Sequence, residues 1–243
     1  MRAAFMSAVL ALFLSTLVLA NTEKTIFLGP EPINIPLTHP TLSDLRLHTL
    51  TPANGTLRTR LSAQFPSSDQ PRGTATWLLL DKLTPNQRYE LRVCWPAAQP
   101  TQFTISTFPV TTVWDTPELI TSLHAYSLSR QSLISEDVLP SPPKERDGSE
   151  REASVLFLRI LAAADYYTTD ASLMVSVPPV DVDIILDPFL FNVLPRSIAG
   201  TACYIIVVAA AAYLLAWRIV FAIQGLVSSA TAGLRHETIK KRQ

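Results

Sequence analysis

The sequence predicts a mostly β protein with one membrane helix close to its C-terminus. Short runs in which apolar and polar residues alternate recur between residues 22 and 108, separated by Pro, Asn and Gly. Residues 83–89 match the tyrosine corner of fibronectin type III domains. Residues 198–217 are apolar and carry no charge. These observations predict a lumenal β-sandwich of the immunoglobulin or fibronectin III kind, followed by a C-terminal transmembrane helix.

Composition limits the classes of function that this chain can have. Its 243 residues allow one medium domain plus membrane segments, and its formal net charge of +0 excludes a global field that attracts nucleic acid. There are two cysteines, Cys94 and Cys203, and the second lies inside the apolar stretch. A disulfide within the lumenal domain is therefore not expected, and the stability of this domain must come from packing.

Residues 1–20 have the features of a secretory signal peptide. Arg2 precedes an apolar run to Leu19, and Val18 and Ala20 are the small or aliphatic residues expected before a cleavage site. We expect cleavage after Ala20, with an uncleaved signal anchor as the alternative. In both cases the chain that follows, as far as Arg196, is delivered to the lumen.

Residues 21–186 are predicted to form the lumenal sandwich. The strand predicted from Arg88 to Trp95 shows the alternation most clearly, because every second residue from Tyr89 onwards is apolar. Cys94 is interpreted as a small core residue, since no basic partner that would activate a thiol stands beside it. Asn54 begins the only N-glycosylation sequon and falls in a predicted hairpin turn.

The second half of this domain has a different pattern. Thr116 and Pro117 predict the start of an amphipathic helix that reaches about Arg130. Residues 136–152 are rich in proline and charge and predict a mobile loop. Residues 155–164 and 173–177 are predicted as the last strands, and residues 180–186 as an extension of the second.

Residues 187–197 form a juxtamembrane segment. Asp187 is predicted to cap a short helix that Pro188 begins, and the apolar residues that follow form a belt at the lumenal interface. Two interpretations stay open: a membrane-anchoring turn, or a docking surface for another membrane protein. The candidate partner interface consists of Asp187, Pro188, Phe189, Phe191, Asn192, Pro195 and Arg196.

The predicted span covers residues 198–217, with residues up to about 224 able to prolong it, and leaves residues 225–243 as a tail. Basic residues are in excess after the span, which places the tail in the cytoplasm. Lys240 and Lys241 stand four and three residues from the end of the sequence, as in a dilysine signal for retrieval to the endoplasmic reticulum. A basic stop-transfer flank is the alternative.

The sequence contains no clear catalytic, cofactor or metal motif. Asp181 and Asp183 form a D-x-D, which holds a metal and a diphosphate in sugar-nucleotide transferases, but the surrounding β-α-β pattern of such enzymes is missing. Alternation within a strand predicts that these are surface aspartates. His39, His48 and His124 are scattered without metal-ligand spacing.

Two strings carry a resemblance to a known family. Residues 83–96 read L-T-P-N-Q-R-Y-E-L-R-V-C-W-P, and residues 187–197 read D-P-F-L-F-N-V-L-P-R-S. With the signal peptide, the single span and the dilysine tail, they resemble the non-catalytic subunit of fungal GPI mannosyltransferase II. The resemblance implies an endoplasmic-reticulum accessory subunit whose partner is the polytopic catalytic subunit that adds the second mannose to the GPI precursor.

Other functions remain open on the sequence. The chain could stabilise the first GPI mannosyltransferase, whose stabiliser has the same plan of a lumenal domain and a single span. It could also act as a single-pass cargo receptor of the early secretory pathway. An enzyme that uses Asp181 and Asp183 is a further alternative. These hypotheses differ in the GPI precursor that accumulates on deletion, in residence within the endoplasmic reticulum, and in the effect of Asp183→Asn.

Overall fold

A computed structural model describes residues 20–35, 41–134 and 150–240, and describes side chains for residues 21–35, 41–131 and 150–225. The chain divides into two compact units between Pro195 and Arg196. Residues 1–19 of the predicted signal peptide, most of the predicted mobile loop and Lys241 lie outside the described residues, whereas Ala20 begins a strand.

The first unit consists mainly of strands. The strands are β1 Ala20–Leu28, β2 Ile33–Ile35, β3 His48–Leu50, β4 Thr56–Leu61, β5 Thr74–Leu80, β6 Arg88–Pro96, β7 Thr101–Pro109, β8 Arg151–Ala153, β9 Leu156–Ala164, β10 Val180–Leu190 and β11 Leu194–Pro195. The helices are α1 Val110–Asp115, α2 Pro117–Ile134 and α3 Ala171–Val175, with a 3-10 turn at Leu42–Leu45. The second unit is the helix α4, Arg196–Lys240.

A five-stranded front sheet and a four-stranded back sheet form the sandwich. The front sheet has the order β1-β6-β10-β4 and is antiparallel throughout. The back sheet has the order β3-β5-β9-β7, in which only β3 and β5 run parallel. Strands β2 and β8 pair separately, and β11 forms a short hairpin with β10. The predicted mostly β fold is confirmed, whereas the parallel pair was not predicted.

The main core lies between the two sheets. Period-two alternation turns the apolar residues of β6 and β10 inwards, where they meet the apolar residues of β5 and β9. Fully buried members include Tyr89, Leu91, Val93, Leu158, Ile160 and Ile184. Each such side chain removed from water contributes about 1.5–3 kcal/mol to folding before entropic costs. This packing takes the place of the disulfide that the cysteine count excludes.

A second core covers the outer face of the back sheet. Trp77 and Phe157 point away from the sandwich and pack against Val113, Leu119 and Leu123 of α1 and α2. The Trp77 indole N–H is satisfied because it donates to Ser122 Oγ, 3.1 Å away. The helix predicted from Thr116 is confirmed, and this packing explains why β5 and β9 are apolar on both faces.

Three predictions about secondary structure are wrong. Residues 173–177 are not a strand, because Asp170 caps the short helix α3 by accepting from the Ser172 N–H at 2.9 Å. The predicted loop ends before Arg151, which starts strand β8. Asp187 and Pro188 do not start a helix, since β10 continues through them to Leu190. Proline is tolerated there because β4 has ended at Thr56, opposite Ile185, so that side of β10 is an edge.

Helix α4 contains one segment, Arg196–Gly225, that is long and apolar enough to cross a membrane. Its 30 residues extend about 45 Å at ~1.5 Å per residue, which exceeds the ~30 Å hydrocarbon core. None of its apolar window is buried within the chain. The helix begins two residues before the predicted span and continues through residues 219–234. The sequence alone did not decide whether these residues prolong the helix or lie along the membrane interface.

Candidate functional site

Asp181 and Asp183 lie on the outer face of the front sheet. Arg58 of β4 donates Nε to one Asp183 oxygen at 2.7 Å and Nη2 to the other at 2.8 Å. Arg60 donates to Asp181 at 2.9 Å. Val180 and Val182 are buried on the opposite face, so the predicted surface position of the two aspartates is confirmed.

The chemistry of this D-x-D is that of surface ion pairs. The hydrogen bond from Arg58 holds the pKa of Asp183 below its ordinary value. A carboxylate that accepts both donors of a guanidinium must give up that pair before it can ligate a cation. Within the described ranges, no group of three or more His, Cys, Asp or Glu side chains is arranged to hold a metal ion.

A buried charge cluster occupies the centre of the same face. Glu90 and Asp187 stand opposite each other in the β6–β10 register and are buried. Lys24 lies 3.2 Å from Glu90, and Arg92 lies 3.4 Å from Glu90 and 3.6 Å from Asp187. Two cations therefore compensate two carboxylates, as buried charges require. Asp187 supports the sheet through this cluster and is not a free surface group.

Cys94 belongs to this outer face, and its predicted place in the core is wrong. The alternation of β6 directs Tyr89, Leu91 and Val93 into the core, and Cys94 falls on the opposite parity. Its thiol is half-buried and accepts from Thr22 Oγ1 at 3.5 Å. The period of two that predicted the strand therefore also determines that the Cys94 thiol lies on the outer face of the sheet.

The tyrosine corner is present as predicted. Tyr89 is fully buried, and its hydroxyl accepts from the Thr84 backbone N–H at 2.9 Å while donating to Gln87 Oε1 at 3.0 Å. Gly29 N donates to Gln87 O at 2.8 Å and Asn86 N donates to Gly29 O at 2.9 Å. The loop between β5 and β6 is thereby fastened to the end of β1.

The residues of the candidate partner interface occupy different environments. Asp187 and Phe189 are buried in β10, and the Phe189 ring lies under the Arg88 guanidinium at 5.7 Å. Pro188 and Pro195 are half-buried. The exposed members are Phe191, Asn192 and Arg196.

The β10–β11 turn, residues 190–193, closes a hairpin that sequence reasoning missed, although a membrane-anchoring turn was one of its two interpretations of this segment. Asn192 Oδ1 accepts from the Arg88 N–H at 2.8 Å, and Asn192 Nδ2 donates to Asn86 O at 3.0 Å. Gln87 Nε2 donates to Phe189 O at 3.2 Å. Asn192 has a φ of 58°, in the left-handed region that asparagine tolerates, and this is the one local signal that could have indicated a turn.

Asn54 lies in the turn between β3 and β4 and is exposed. Its backbone N–H donates to Thr51 Oγ1 at 3.0 Å. Lys240 is the last residue of α4. Glycosylation of Asn54 and retrieval through Lys240 and Lys241 remain predictions.

Comparison with known proteins identifies the family. A model of the Pga1 family, described as GPI-mannosyltransferase II co-activator, matches residues 11–218, which is most of the chain. No curated protein and no solved structure matches this chain significantly. The family match covers the sandwich and most of the apolar part of α4, and it agrees with the resemblance carried by residues 83–96 and 187–197. The chain belongs to the Pga1 family of GPI-mannosyltransferase II co-activators.

Proposed function

We propose that this protein is an accessory subunit that stabilises or assists the polytopic catalytic subunit adding the second mannose to the GPI precursor. The observation that carries the proposal is the family match over residues 11–218, since the family is described as a co-activator of this transferase. The ion-paired state of Asp181 and Asp183 supports a non-catalytic role, because the acidic pair is already engaged by arginines.

The proposal includes a membrane topology. The sandwich lies in the lumen of the endoplasmic reticulum, α4 crosses the membrane once, and the C-terminus is cytoplasmic. The apolar segment Arg196–Gly225 and the basic excess after it support this orientation. A signal peptide over residues 1–20, an oligosaccharide on Asn54 and retrieval through Lys240 and Lys241 complete the scheme.

The proposed contact with the catalytic subunit is centred on the juxtamembrane segment. Pro188, Pro195 and Arg196 are at least partly accessible and stand where the sandwich gives way to the membrane helix. Asp187, Phe189 and Asn192 act indirectly, since their side chains are engaged with this chain's own residues.

The test is purification of the tagged full chain in mild detergent, with identification of co-purifying membrane proteins. We expect a stoichiometric complex with a polytopic mannosyltransferase. Arg196→Glu is expected to lower its recovery. Arg60→Glu, which lies opposite Asp181 near the start of β10, is the matched control and leaves the recovery unchanged. Recovery of no polytopic glycosyltransferase contradicts the proposal.

Deletion of the chain separates the proposed function from its alternatives. We expect a GPI precursor with one mannose to accumulate, because the second transfer fails. A precursor without mannose indicates the first transferase, and normal precursors with cycling to the Golgi indicate a cargo receptor. Asp183→Asn is expected to restore mannosylation fully; a loss of activity at normal protein abundance supports the enzyme hypothesis instead.

A further inference from the structure

The β10–β11 turn presents apolar side chains to solvent in a conformation that needs support. Phe191 is 98% exposed and Val193 is 77% exposed. Phe191 has a φ of 52°, a left-handed backbone conformation that is uncommon for a bulky residue and costs free energy. A phenylalanine that is 98% exposed in this conformation gains almost no packing from the described part of the chain.

The turn is fixed by contacts that do not involve the Phe191 side chain. Asn192 bonds to the backbone of both Asn86 and Arg88, at 3.0 and 2.8 Å. Val193 N donates to Leu190 O at 3.1 Å, which closes the turn. These hydrogen bonds attach the backbone of the turn to the sandwich.

The position of the turn in the chain limits what can cover it. Phe191 precedes Arg196, the first residue of the membrane-spanning segment, by five residues. Five residues extend at most about 17 Å at ~3.4 Å each. The polar zone of a bilayer adds roughly 5–8 Å to each side of the hydrocarbon core. Chain connectivity therefore keeps Phe191 within reach of the headgroup region.

The chemistry around the tip suits a lipid surface. Leu28, on the strand beside Arg88, is also more than half exposed, and Leu190 is partly exposed. Arg88 and Arg196 supply guanidinium groups that match lipid phosphates. Glu31, which accepts from Asn86 Nδ2 at 2.9 Å, is the acidic group at the base of this region. A few apolar side chains flanked by arginines resemble the composition of interfacial membrane contacts.

We propose that the β10–β11 turn is a lipid-contacting tip. Phe191 and Val193 enter the headgroup region of the leaflet from which α4 emerges. The sandwich is then attached to the bilayer at two points, the tip and α4, which sets its height above the membrane. This inference rests on the membrane topology in the proposed function but not on the catalytic subunit, because the contact forms in the absence of that subunit.

The test uses nitroxide labels on the full chain in phosphatidylcholine vesicles. A background with Cys94→Ser and Cys203→Ser carries a single label at Phe191→Cys or Val193→Cys. The control is Tyr167→Cys, an 86% exposed aromatic position that follows the far end of β9 and so lies at the opposite end of the sandwich. Power saturation compares collisions with oxygen, which partitions into lipid, and with a nickel chelate, which stays in water.

We expect oxygen collisions to exceed nickel collisions at positions 191 and 193, and the reverse at position 167. Equal behaviour at positions 191 and 167 shows a solvated tip and overturns the proposal. Protection from both reagents at position 191 shows burial against protein, such as a second copy of this chain, and also overturns it.

A second variant tests whether Phe191 holds the sandwich down. A label at Leu28→Cys is measured with and without Phe191→Asp, and the aspartate is expected to raise its nickel collisions. Because the Phe191 side chain packs against nothing in the chain, the thermal unfolding temperature of this variant is expected to stay unchanged. An unchanged Leu28 signal contradicts the anchoring role.

Discussion

At the scale of single residues, the sandwich depends on side chains that satisfy buried backbone groups. The Tyr89 hydroxyl serves the Thr84 N–H and the Gln87 side chain at once. Asn192 performs a similar task at the β10–β11 turn. Removing such a group leaves a buried donor without a partner, which costs more than the net gain of an average hydrogen bond.

Tyr89→Phe is expected to lower the free energy of unfolding by about 1–3 kcal/mol, since the Thr84 N–H loses its acceptor. For a domain of this size the fall in Tm is roughly 3–10 °C. Thermal unfolding of the full chain in detergent measures the change. Tyr166→Phe is the control, because the Tyr166 hydroxyl donates to Leu173 O at an exposed site. Equal stability of the two variants contradicts a structural tyrosine corner.

His48 makes the stability of the sandwich depend on pH. Burial, assisted by the charge of Arg130, lowers the pKa of His48 from its ordinary value of 6.5. The unfolded chain therefore takes up this proton more readily, and the contribution of His48, complete above about pH 6.5, is lost as the pH falls through its folded pKa.

His48→Gln is expected to reduce the loss of unfolding free energy between pH 7 and pH 5. Denaturant unfolding of the wild type and the variant at both pH values measures this loss of unfolding free energy. Carboxylates such as Asp183 ionise below this window, so they do not obscure the result. An unchanged pH slope in the variant contradicts the assignment.

At the scale of elements, the front sheet places two kinds of ion pair on one face. The pairs of Arg58 and Arg60 are largely exposed, and such pairs contribute about 0–1 kcal/mol. The buried charge cluster differs because Glu90 and Asp187 are shielded from water and depend on Arg92 and Lys24. The front sheet therefore carries one exposed set of charges that contributes little to folding stability and one buried set on which folding stability depends.

Arg92→Leu is expected to lower the unfolding free energy by about 2–3 kcal/mol, because it leaves two buried carboxylates with Lys24 as the remaining cation. The expected loss lies below the range for fully buried pairs, since the Arg92 side chain is 24% exposed. Arg58→Leu, on the same face, is expected to change stability by less than about 1 kcal/mol. Chemical denaturation of both variants measures the two changes in unfolding free energy. Equal losses in the two variants contradict a stabilising role of Arg92 in the buried charge cluster.

At the scale of the whole molecule, a packed sandwich is followed in the chain by an apolar helix whose most apolar window is not buried among the described residues. The described cysteines, Cys94 and Cys203, are both free, so no described disulfide reinforces the domain. The stability of the first unit comes from its two cores, and α4 needs an apolar surrounding that a bilayer supplies.

Asn54 provides a test of topology. If the sandwich is lumenal, the exposed sequon in the β3–β4 turn is expected to carry one oligosaccharide. Peptide N-glycosidase is then expected to increase the electrophoretic mobility of the chain. Asn54→Gln and Thr56→Ala each remove the sequon and are expected to abolish the shift, whereas Ala53→Ser preserves it. Protease accessibility of the Arg88–Pro96 strand in intact microsomes contradicts a lumenal domain.

The sequence by itself determined the elements whose signal is local. The period of two identified β6 and the front half of β10. The uncharged length of residues 198–217 identified the long apolar helix α4, and the Leu83–Tyr89 spacing identified the tyrosine corner. Each of these depends on residues close together in the chain, so a short window contains the whole signal.

Only the tertiary structure decided which residues are buried together. Asp187 and Glu90 are 97 positions apart in the sequence but stand opposite each other on neighbouring strands. Asn192 bonds to the backbone of Asn86 and Arg88 across a similar separation in sequence. Whether a charged or apolar side chain is covered depends on the neighbouring strands, which local periodicity does not specify. For this reason the sequence alone was enough to recognise the juxtamembrane segment. Which of its residues are buried in β10 and which are exposed in the β10–β11 turn could be seen only in the folded structure.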